Sequence, residues 1–356
     1  AGLHRRIPAD LLFVIDNSAS MGEEVVGFES TLEGSLFTPL QNAQVDPQVI
    51  MVTDHGPASG GDQRICVPPP LSGSTNCNGA PVFVADQFYH YDVNVQSGDG
   101  LCILLDTFAG PNGGGEADQW GLAPDGWRVW LRHDAMKVVL LLSDDDSFCS
   151  WSSPLGNSWI FNDSSSNPLV GQQLAVDFHS ALSLRSDIHF GASTPRPWVF
   201  YSLVGIAAQD PTDPLAAWQP SDPVSTQSCT PGAVNAGIGY QWLSKGTGAL
   251  RFPLCDPSGY ASMLGDIADD IATKARHPCE LELPEPAPGD TLDPSAITLL
   301  RTQGANVTEI PQVAPGGCAG DSFFIEDDLI KLCPNLCQDV KVAGGGTLET
   351  QITCTP

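Results

Sequence analysis

Oxygen-bearing side chains occupy alternate positions near the amino terminus, at Asp16, Ser18 and Ser20. One carboxylate and two hydroxyls on a single turn can converge on a hard divalent cation such as Mg²⁺ or Ca²⁺, which takes oxygen ligands. A second acidic run begins at Asp144, shortly after the apolar residues 138–142. Asp144 could bring a further carboxylate to the same ion, so these residue types predict a cation site.

Both groups of polar residues follow sequence that is typical of a buried strand. The apolar run Leu11–Ile15 ends directly at Asp16, and the run Val138–Leu142 ends just before Asp144. Short, continuous apolar runs of this kind predict strands of a parallel sheet that is covered on both faces. In open α/β sheets, ligands bind beyond the carboxyl ends of the strands at the topological switch point. We therefore expect the two acidic groups to meet at one edge of the sheet.

The remaining elements alternate between strand and helix patterns. Further strands are predicted at Val49–Val52, Leu101–Leu105 and Val199–Val204, and helices near 169–184 and 259–275. Ser20 and Glu23 have the spacing of a capping box, which predicts a helix beginning there. This alternation predicts an α/β fold with a doubly wound, mostly parallel sheet.

Two loop insertions and a change of composition divide the chain. Residues 55–81 are rich in Gly, Pro and Ser and carry Cys66 and Cys77, which predicts a loop pinned by a disulfide. Residues 107–135 form a second insertion with several tryptophans. Prolines become frequent after residue 276, so we expect residues 1–278 to form the α/β domain. Residues 279–356 are predicted to form a small cysteine-rich β module.

With these motifs in this order, the chain resembles a von Willebrand factor A (integrin I-like) domain with a metal-ion-dependent adhesion site. The resemblance covers roughly residues 8–277 and depends chiefly on residues 11–21 and 138–146. The pair Leu131 and Arg132 before the acidic strand, and the cysteine-bearing tail, are more narrowly similar to secreted bacterial proteins with this domain. The resemblance implies that the cation ligands, direct or through water, are Asp16, Ser18, Ser20 and Asp144, with Thr107 as the candidate for a loop threonine of the family.

The function implied is that of a non-enzymatic, adhesin-like protein at the cell surface or outside the cell. Its Mg²⁺ or Ca²⁺ would bind a carboxylate on a protein or glycan partner. One alternative is a structural or tip subunit of a surface filament or envelope complex, with a vestigial metal site. Another is calcium-dependent glycan binding, in which tryptophans stack on sugar rings. Five tryptophans flank the Asp144 strand: Trp120, Trp127, Trp130, Trp151 and Trp159.

Each of these features also has a purely structural interpretation. The serines at 18 and 20 could simply cap a helix, and the tryptophans could pack the insertion. Asp145 and Asp146 are expected to lie in a solvated turn rather than to coordinate the ion directly. A metal hydrolase using residues 144–146 is a further alternative, although the sequence has no nucleophile elbow, zinc-protease motif or phosphate loop.

Charge and cysteine content limit the partners and the compartment. With 42 acidic against 15 basic residues, the net charge of -27 opposes binding to nucleic acid or anionic lipid. No apolar run reaches the ~18 residues of a membrane-spanning helix. Eleven scattered cysteines predict disulfides in an oxidising compartment, with one left over; Cys333 and Cys337 alone have a short, zinc-like spacing. The first residues lack a signal peptide's apolar stretch, so we expect a processed chain.

Overall fold

The structure is a computed structural model that divides into two compact units, residues 5–275 and a smaller unit that includes residues 276–356. It describes residues 7–57, 63–133, 135–164, 167–191, 198–230, 232–275, 279–283, 291–303, 306–326, 329–341 and 347–355. The amino-terminal residues 1–6 lie outside this part of the chain, as do portions of both predicted insertions and of the predicted β module. Within the described residues, no helix combines the length and apolar character needed to cross a membrane.

A parallel sheet of six strands forms the centre of the larger unit. The strands of this unit, in chain order, are β1 (Ile7–Ile15), β2 (Val45–Thr53), β3 (Phe88–Asp92), β4 (Met136–Ser143), β5 (Phe148–Ser152), β6 (Ser158–Asn162), β7 (Trp198–Val204) and β8 (Arg251–Pro253). The central sheet has the order β3-β2-β1-β4-β7-β8, whereas β5 and β6 form a separate antiparallel hairpin. The strands predicted at Leu11–Ile15, Val49–Val52, Val138–Leu142 and Val199–Val204 all lie in the central sheet and are confirmed.

Helices cover both faces of this sheet. They are α1 (Gly22–Leu32), α2 (Thr38–Asn42), α3 (Gly100–Thr107), α4 (Pro168–Arg185), α5 (Asp187–Phe190), α6 (Ile238–Thr247) and α7 (Tyr260–Ala275), with a π-helical turn at Glu33–Phe37 and 3₁₀ turns at Ala19–Met21, Pro111–Gly113, Trp127–Trp130 and Pro257–Gly259. One core cluster joins α1, α2 and α7 to the sheet through Leu11 and Phe13, and the other joins α3, α4 and α6 to it through Leu12 and Val14. The predicted α/β class with a doubly wound parallel sheet is therefore confirmed.

Two local predictions are wrong. The run Leu101–Leu105 lies in α3 rather than in a strand. Because Leu101, Leu104 and Leu105 fall on one helical face and enter the core together, a short apolar run alone cannot separate the two structures. The predicted capping box is also absent, since Ser20 lies inside a 3₁₀ turn and α1 begins later, at Gly22, without a side-chain cap.

Disulfides use ten of the eleven cysteines, as the scattered spacing predicted. The five bonds are Cys66–Cys77, Cys102–Cys149, Cys229–Cys255, Cys279–Cys337 and Cys318–Cys333. The first confirms the pinned loop, and the second ties α3 to the β5–β6 hairpin. Cys333 and Cys337, the closely spaced pair, bond to different partners. Disulfides persist in oxidising compartments, which this pattern therefore favours.

The described part of the smaller unit consists of two antiparallel three-stranded sheets and one helix. Its elements are β9 (Glu280–Glu282), β10 (Thr291–Gln303), β11 (Asn306–Ile310), β12 (Phe323–Glu326), β13 (Leu329–Leu332), α8 (Pro334–Lys341) and β14 (Thr347–Thr355). The sheet orders are β11-β10-β14 and β12-β13-β9. Leu299, Phe323 and Leu336 contribute to one shared apolar core, and two of the five disulfides lie in this unit.

An ion cluster around the buried Asp10 carboxylate fastens the end of the 107–135 insertion to the sheet. Arg132 Nε lies 2.7 Å from Asp10 Oδ1 on β1, and its Nη1 lies 2.7 Å from Asp46 Oδ2 on β2. Lys137 Nζ is 3.4 Å from Asp10 Oδ2, and the Asp10 side chain is fully buried. Burial raises the pKa of Asp10, whereas the charges of Lys137 and Arg132 lower it. Arg132, the second residue of the Leu131–Arg132 pair, therefore has a structural role as a counterion of Asp10 and Asp46.

Replacing Asp10 by Ala should lower the free energy of unfolding by about 3–5 kcal/mol, because two cationic groups would lose their buried counterion. Chemical denaturation at neutral pH measures this. The exposed Asp269 on α7 provides a matched control, and Asp269→Ala should change stability by no more than about 0.5 kcal/mol. A loss for Asp10→Ala as small as that of the control would contradict a stabilising role for the cluster.

Candidate functional site

The sheet topology brings Asp16 and Asp144 to the same edge. β1 and β4 are parallel neighbours with Ile15 opposite Leu142, and the Asp16 amide donates to the Leu142 carbonyl at 3.0 Å. From β1 the chain passes to β2 on one side, and β4 lies on the other, so the order of strands reverses between them. The two aspartates therefore follow adjacent strands at the topological switch point, where open α/β sheets bind ligands.

Asp16 is buried and held in place by two hydrogen bonds. Its Oδ1 accepts from the Ser18 amide at 2.8 Å, and its Oδ2 accepts from the Ser143 hydroxyl at 2.9 Å. Burial raises the pKa of Asp16 to about 6; the bonds from Ser18 and Ser143 act against this, and the charge of Asp144 adds to it. The Ser18 and Ser20 hydroxyls are hydrogen-bonded to each other at 3.1 Å. The turn thus presents one carboxylate and a pair of hydroxyls.

Asp144 has the most unusual environment of these residues. Its side chain is 1% exposed, and neither carboxylate oxygen has a hydrogen-bond partner of acceptable geometry. Burial raises the pKa of Asp144, the nearby Ser20 hydroxyl lowers it, and the charge of Asp145 raises it. A buried carboxylate without partners is costly unless a proton or a cation neutralises it.

These residues fit a hard divalent cation in the chemistry of their donor atoms. Two carboxylates and two hydroxyls supply only oxygen, which is what Mg²⁺ and Ca²⁺ prefer. Across the described residues, no group of three or more His, Cys, Asp or Glu side chains is arranged to hold a metal ion. A cation at this edge would therefore depend on the hydroxyls of Ser18 and Ser20 as much as on the carboxylates of Asp16 and Asp144.

Thr107, the fifth predicted ligand, is not brought to this cluster. It is the last residue of α3 and is buried. Its hydroxyl donates to the Ile103 carbonyl at 2.6 Å and accepts from the Trp127 indole nitrogen at 3.1 Å. Both contacts lie within the insertion and its helix, so Thr107 anchors Trp127 in the core.

Asp145 and Asp146 belong to a covered loop, so the predicted solvated turn is wrong for Asp146, which is buried. Asp145 Oδ1 accepts from the Asn235 amide group at 2.6 Å, and Asp146 Oδ1 accepts from the Gly237 amide at 3.1 Å. Burial, above all, raises the pKa of Asp146 to about 7. The segment before α6 packs onto this turn, a long-range contact that the sequence around residue 144 does not indicate.

Asn17 organises the turn, a role that its sequence context does not predict. Its side-chain amide nitrogen donates to Thr53 Oγ1 at 2.9 Å and to the Gln63 carbonyl at 2.5 Å. Its Oδ1 accepts from the amides of Asp54 at 2.9 Å and Val95 at 3.0 Å. A fully buried side chain thus links the loops that follow β1, β2 and β3. A lone asparagine after a strand carries no signal of such contacts.

Two more acidic residues contribute to the field at this edge. Glu24, in the first turn of α1, is buried, and its pKa is raised first by burial and also by the charge of Asp144. Burial, together with the charge of Asp16, raises the pKa of Asp99 to about 7. Neither Glu24 nor Asp99 lies in a sequence motif that would have identified it. The accumulated negative potential would attract a cation.

The five tryptophans near Asp144 are mostly packed. Trp127 and Trp151 are buried, and Trp130 and Trp159 are partly buried. Trp120 alone of the five exposes about half of its surface, at 48%. The packing interpretation therefore holds for most of the group, and a stacking platform for sugar rings has little support.

Asp54 and Asp92 form a second acidic pair at the same edge of the sheet, at the carboxyl ends of β2 and β3. Asp92 Oδ1 accepts from the His55 amide at 2.8 Å, and the Asp92 amide donates to Asp118 Oδ1 at 3.2 Å. Burial, followed by the nearby Asp54 carboxylate, raises the pKa of Asp92 from 3.8 to about 7, although the His55 amide opposes the shift. Asp54 is itself paired with Arg64 at 2.9 Å.

Asp92 should make the protein less stable as the pH rises. Its pKa in the folded state lies above the unfolded value, so its contribution is fully present below about pH 4 and lost as the pH approaches 7. Asp92→Asn retains the acceptor for His55 and removes the titration. Its stability relative to wild type should therefore increase by up to about 1.4 kcal/mol per pH unit between pH 4 and 7.

Denaturation at a series of pH values, with a chelator present throughout, measures this difference. Asp269→Asn serves as the control and should differ from wild type by a constant amount. A constant difference for Asp92→Asn over the same range would contradict the raised pKa.

The chain was also compared with protein-family models, with curated proteins and with solved structures. None of the three comparisons found a match.

Proposed function

We propose that this is an adhesin-like binding protein of the von Willebrand factor A type, which binds a partner's carboxylate through a divalent cation. The residues that would hold Mg²⁺ or Ca²⁺ are Asp16, Ser18, Ser20 and Asp144. One observation carries the proposal: both carboxylate oxygens of Asp144 are buried without hydrogen-bond partners, near the Ser20 hydroxyl. A cation would satisfy these oxygens and offset the cost of burying them.

The surrounding residues orient this donor set. Ser143 and the Ser18 amide fix the Asp16 carboxylate. The Asp144 carbonyl accepts from the amides of Val234 and Asn235 at 2.9 and 3.0 Å, so the backbone of Asp144 is held while its side chain is not. Ser20 is exposed, which leaves the cluster open to solvent and to a partner. A bound cation would supply a coordination position that a partner's carboxylate can fill.

Electrostatics would make such binding conditional on the cation. The site is surrounded by carboxylates, including Glu24 and Asp99, and the whole chain has a net charge of -27. An approaching carboxylate is repelled by this field unless a cation reverses it locally. Binding to the partner should therefore be abolished by a chelator.

The disulfides support placing this activity outside the cell or at its surface. Five disulfides in one chain are typical of secreted and surface proteins. No contact described above favours the filament-subunit alternative, and glycan binding has support only from the half-exposed Trp120. Adhesion through a cation is supported by a specific observation, the buried Asp144 carboxylate without hydrogen-bond partners.

Isothermal calorimetry with CaCl₂ and MgCl₂ tests the proposed site directly. Wild-type protein should bind one of the two ions, and Asp144→Asn and Ser20→Ala should each weaken binding by about tenfold or more, since each removes a ligand. A saturating ion, at about 100 times its Kd, should also raise the free energy of unfolding by about 2.7 kcal/mol.

Two controls separate the site from general acidity. Asp269→Asn removes one exposed charge elsewhere on the surface. Thr107→Val removes a hydroxyl that already donates to Ile103. Both variants should bind the ion as the wild type does. Unchanged affinity of Asp144→Asn for the ion would refute the site. Weakened affinity of Thr107→Val for the ion would indicate that Thr107 is a ligand.

A further inference from the structure

The β5–β6 hairpin, which follows the Asp144–Asp146 turn, has an apolar outer face. Phe148 is 69% exposed and Ile160 is 73% exposed. Phe148 lies opposite Asn162, and Ser150 lies opposite Ile160, so the two apolar side chains are diagonal neighbours on one face. The solvent face of a hairpin ordinarily carries polar residues, and an apolar patch there marks an interaction surface.

The hairpin is firmly held from its other face, so this exposure is a feature of an ordered surface. Trp151 is buried and stacks on Trp159 with ring centroids 5.4 Å apart. The Arg185 guanidinium lies 4.5 Å above the Trp151 ring. The Cys102–Cys149 disulfide ties β5 to α3. A rigid platform loses little entropy when a partner binds to it.

Together with α4, the hairpin forms an open groove of about 280 Å³. The residues that line it are Ile160, Asn162, Leu169, Val170, Gln173, Leu174 and Asp177. Leu169 is 70% exposed, and Val176 on the same helix is also more than half exposed. The groove therefore offers apolar side chains from two elements to a partner that can lie between them.

The charge of the groove restricts the partner that fits it. Asp177 is the charged residue among those lining it, and Gln173 donates to its Oδ1 at 3.0 Å. The protein carries 42 acidic against 15 basic residues, so an acidic segment would be repelled over most of the surface. An apolar segment with a lysine or arginine beside it would satisfy both the groove walls and Asp177.

We propose that this groove is a second interaction surface, which binds an apolar peptide segment of a partner protein that carries Lys or Arg. Ile160 and Leu169 would contact the apolar side chains of the segment, and Asp177 would pair with its cation. The contacts involve none of the four proposed cation ligands. Binding in the groove therefore does not require the divalent ion.

Fluorescein-labelled eight-residue peptides of repeating Leu-Lys, Leu-Glu and Ser-Lys test this surface, with anisotropy measured in the presence of EDTA. Leu-Lys should bind wild-type protein about tenfold more tightly than either of the other two. The double variant Ile160→Ser/Leu169→Ser should weaken Leu-Lys binding by about tenfold, and Asp177→Asn by about threefold. The side chains of Ile160 and Leu169 are exposed and that of Asp177 is partly exposed, so the variants should remain folded.

Val26→Ser and Asp269→Asn are the matched controls, because each changes an exposed side chain of the same kind far along the chain from the groove. Both should bind Leu-Lys as the wild type does. If the double variant binds as Val26→Ser does, or if Ser-Lys binds as well as Leu-Lys, the attraction is only general charge and the groove proposal fails. Leu-Lys should bind equally well with CaCl₂ in place of EDTA, because the groove contains none of the four proposed cation ligands. Failure of the cation site would therefore leave this result unchanged.

Discussion

The pairing of β1 with β2 on one side and β4 on the other is the constraint on which the rest of the larger unit depends. Residues 9–14 of β1 are in register with both neighbours. Because all three strands are parallel, their carboxyl ends lie at one edge, and residues 128 positions apart along the chain, Asp16 and Asp144, follow adjacent strands there. Helices on both faces then exclude water from the strands, so a polar group buried at their ends needs a hydrogen-bond partner or a counterion.

The buried acidic residues at the two ends of β1 have different surroundings. Toward the amino end, Asp10 is neutralised by Arg132 and Lys137, which makes a structural ion cluster. At the carboxyl end, Asp16 is surrounded by hydroxyls, amides and other acids, and the carboxylate oxygens of Asp144 have no hydrogen-bond partner of acceptable geometry. The same side-chain chemistry thus stabilises the fold at one edge, and at the other it leaves negative charge that a mobile cation can compensate.

Hydrogen bonds and a disulfide hold the loops that carry Asp16 and Asp144 at the carboxyl ends of the strands. Asn17 joins the loops after β1, β2 and β3 through the hydrogen bonds of its side chain, and the segment before α6 covers the Asp144–Asp146 turn. The Cys102–Cys149 disulfide then fixes the hairpin that follows this turn. The carboxylates and the apolar groove are consequently presented from an ordered scaffold, which is what binding without a large entropic cost requires.

The sequence alone was sufficient for the α/β class, four of the six central strands and the edge where the acidic groups meet. Continuous apolar runs followed by polar residues are a local signal, and parallel strands place their carboxyl ends together. Tertiary contacts decided the remainder. Leu101–Leu105 became helical because three leucines enter one core, Asp146 was buried by a segment some 90 residues away, and Thr107 was taken up by Trp127. Each of these outcomes depends on a partner distant in the chain, which local spacing cannot specify.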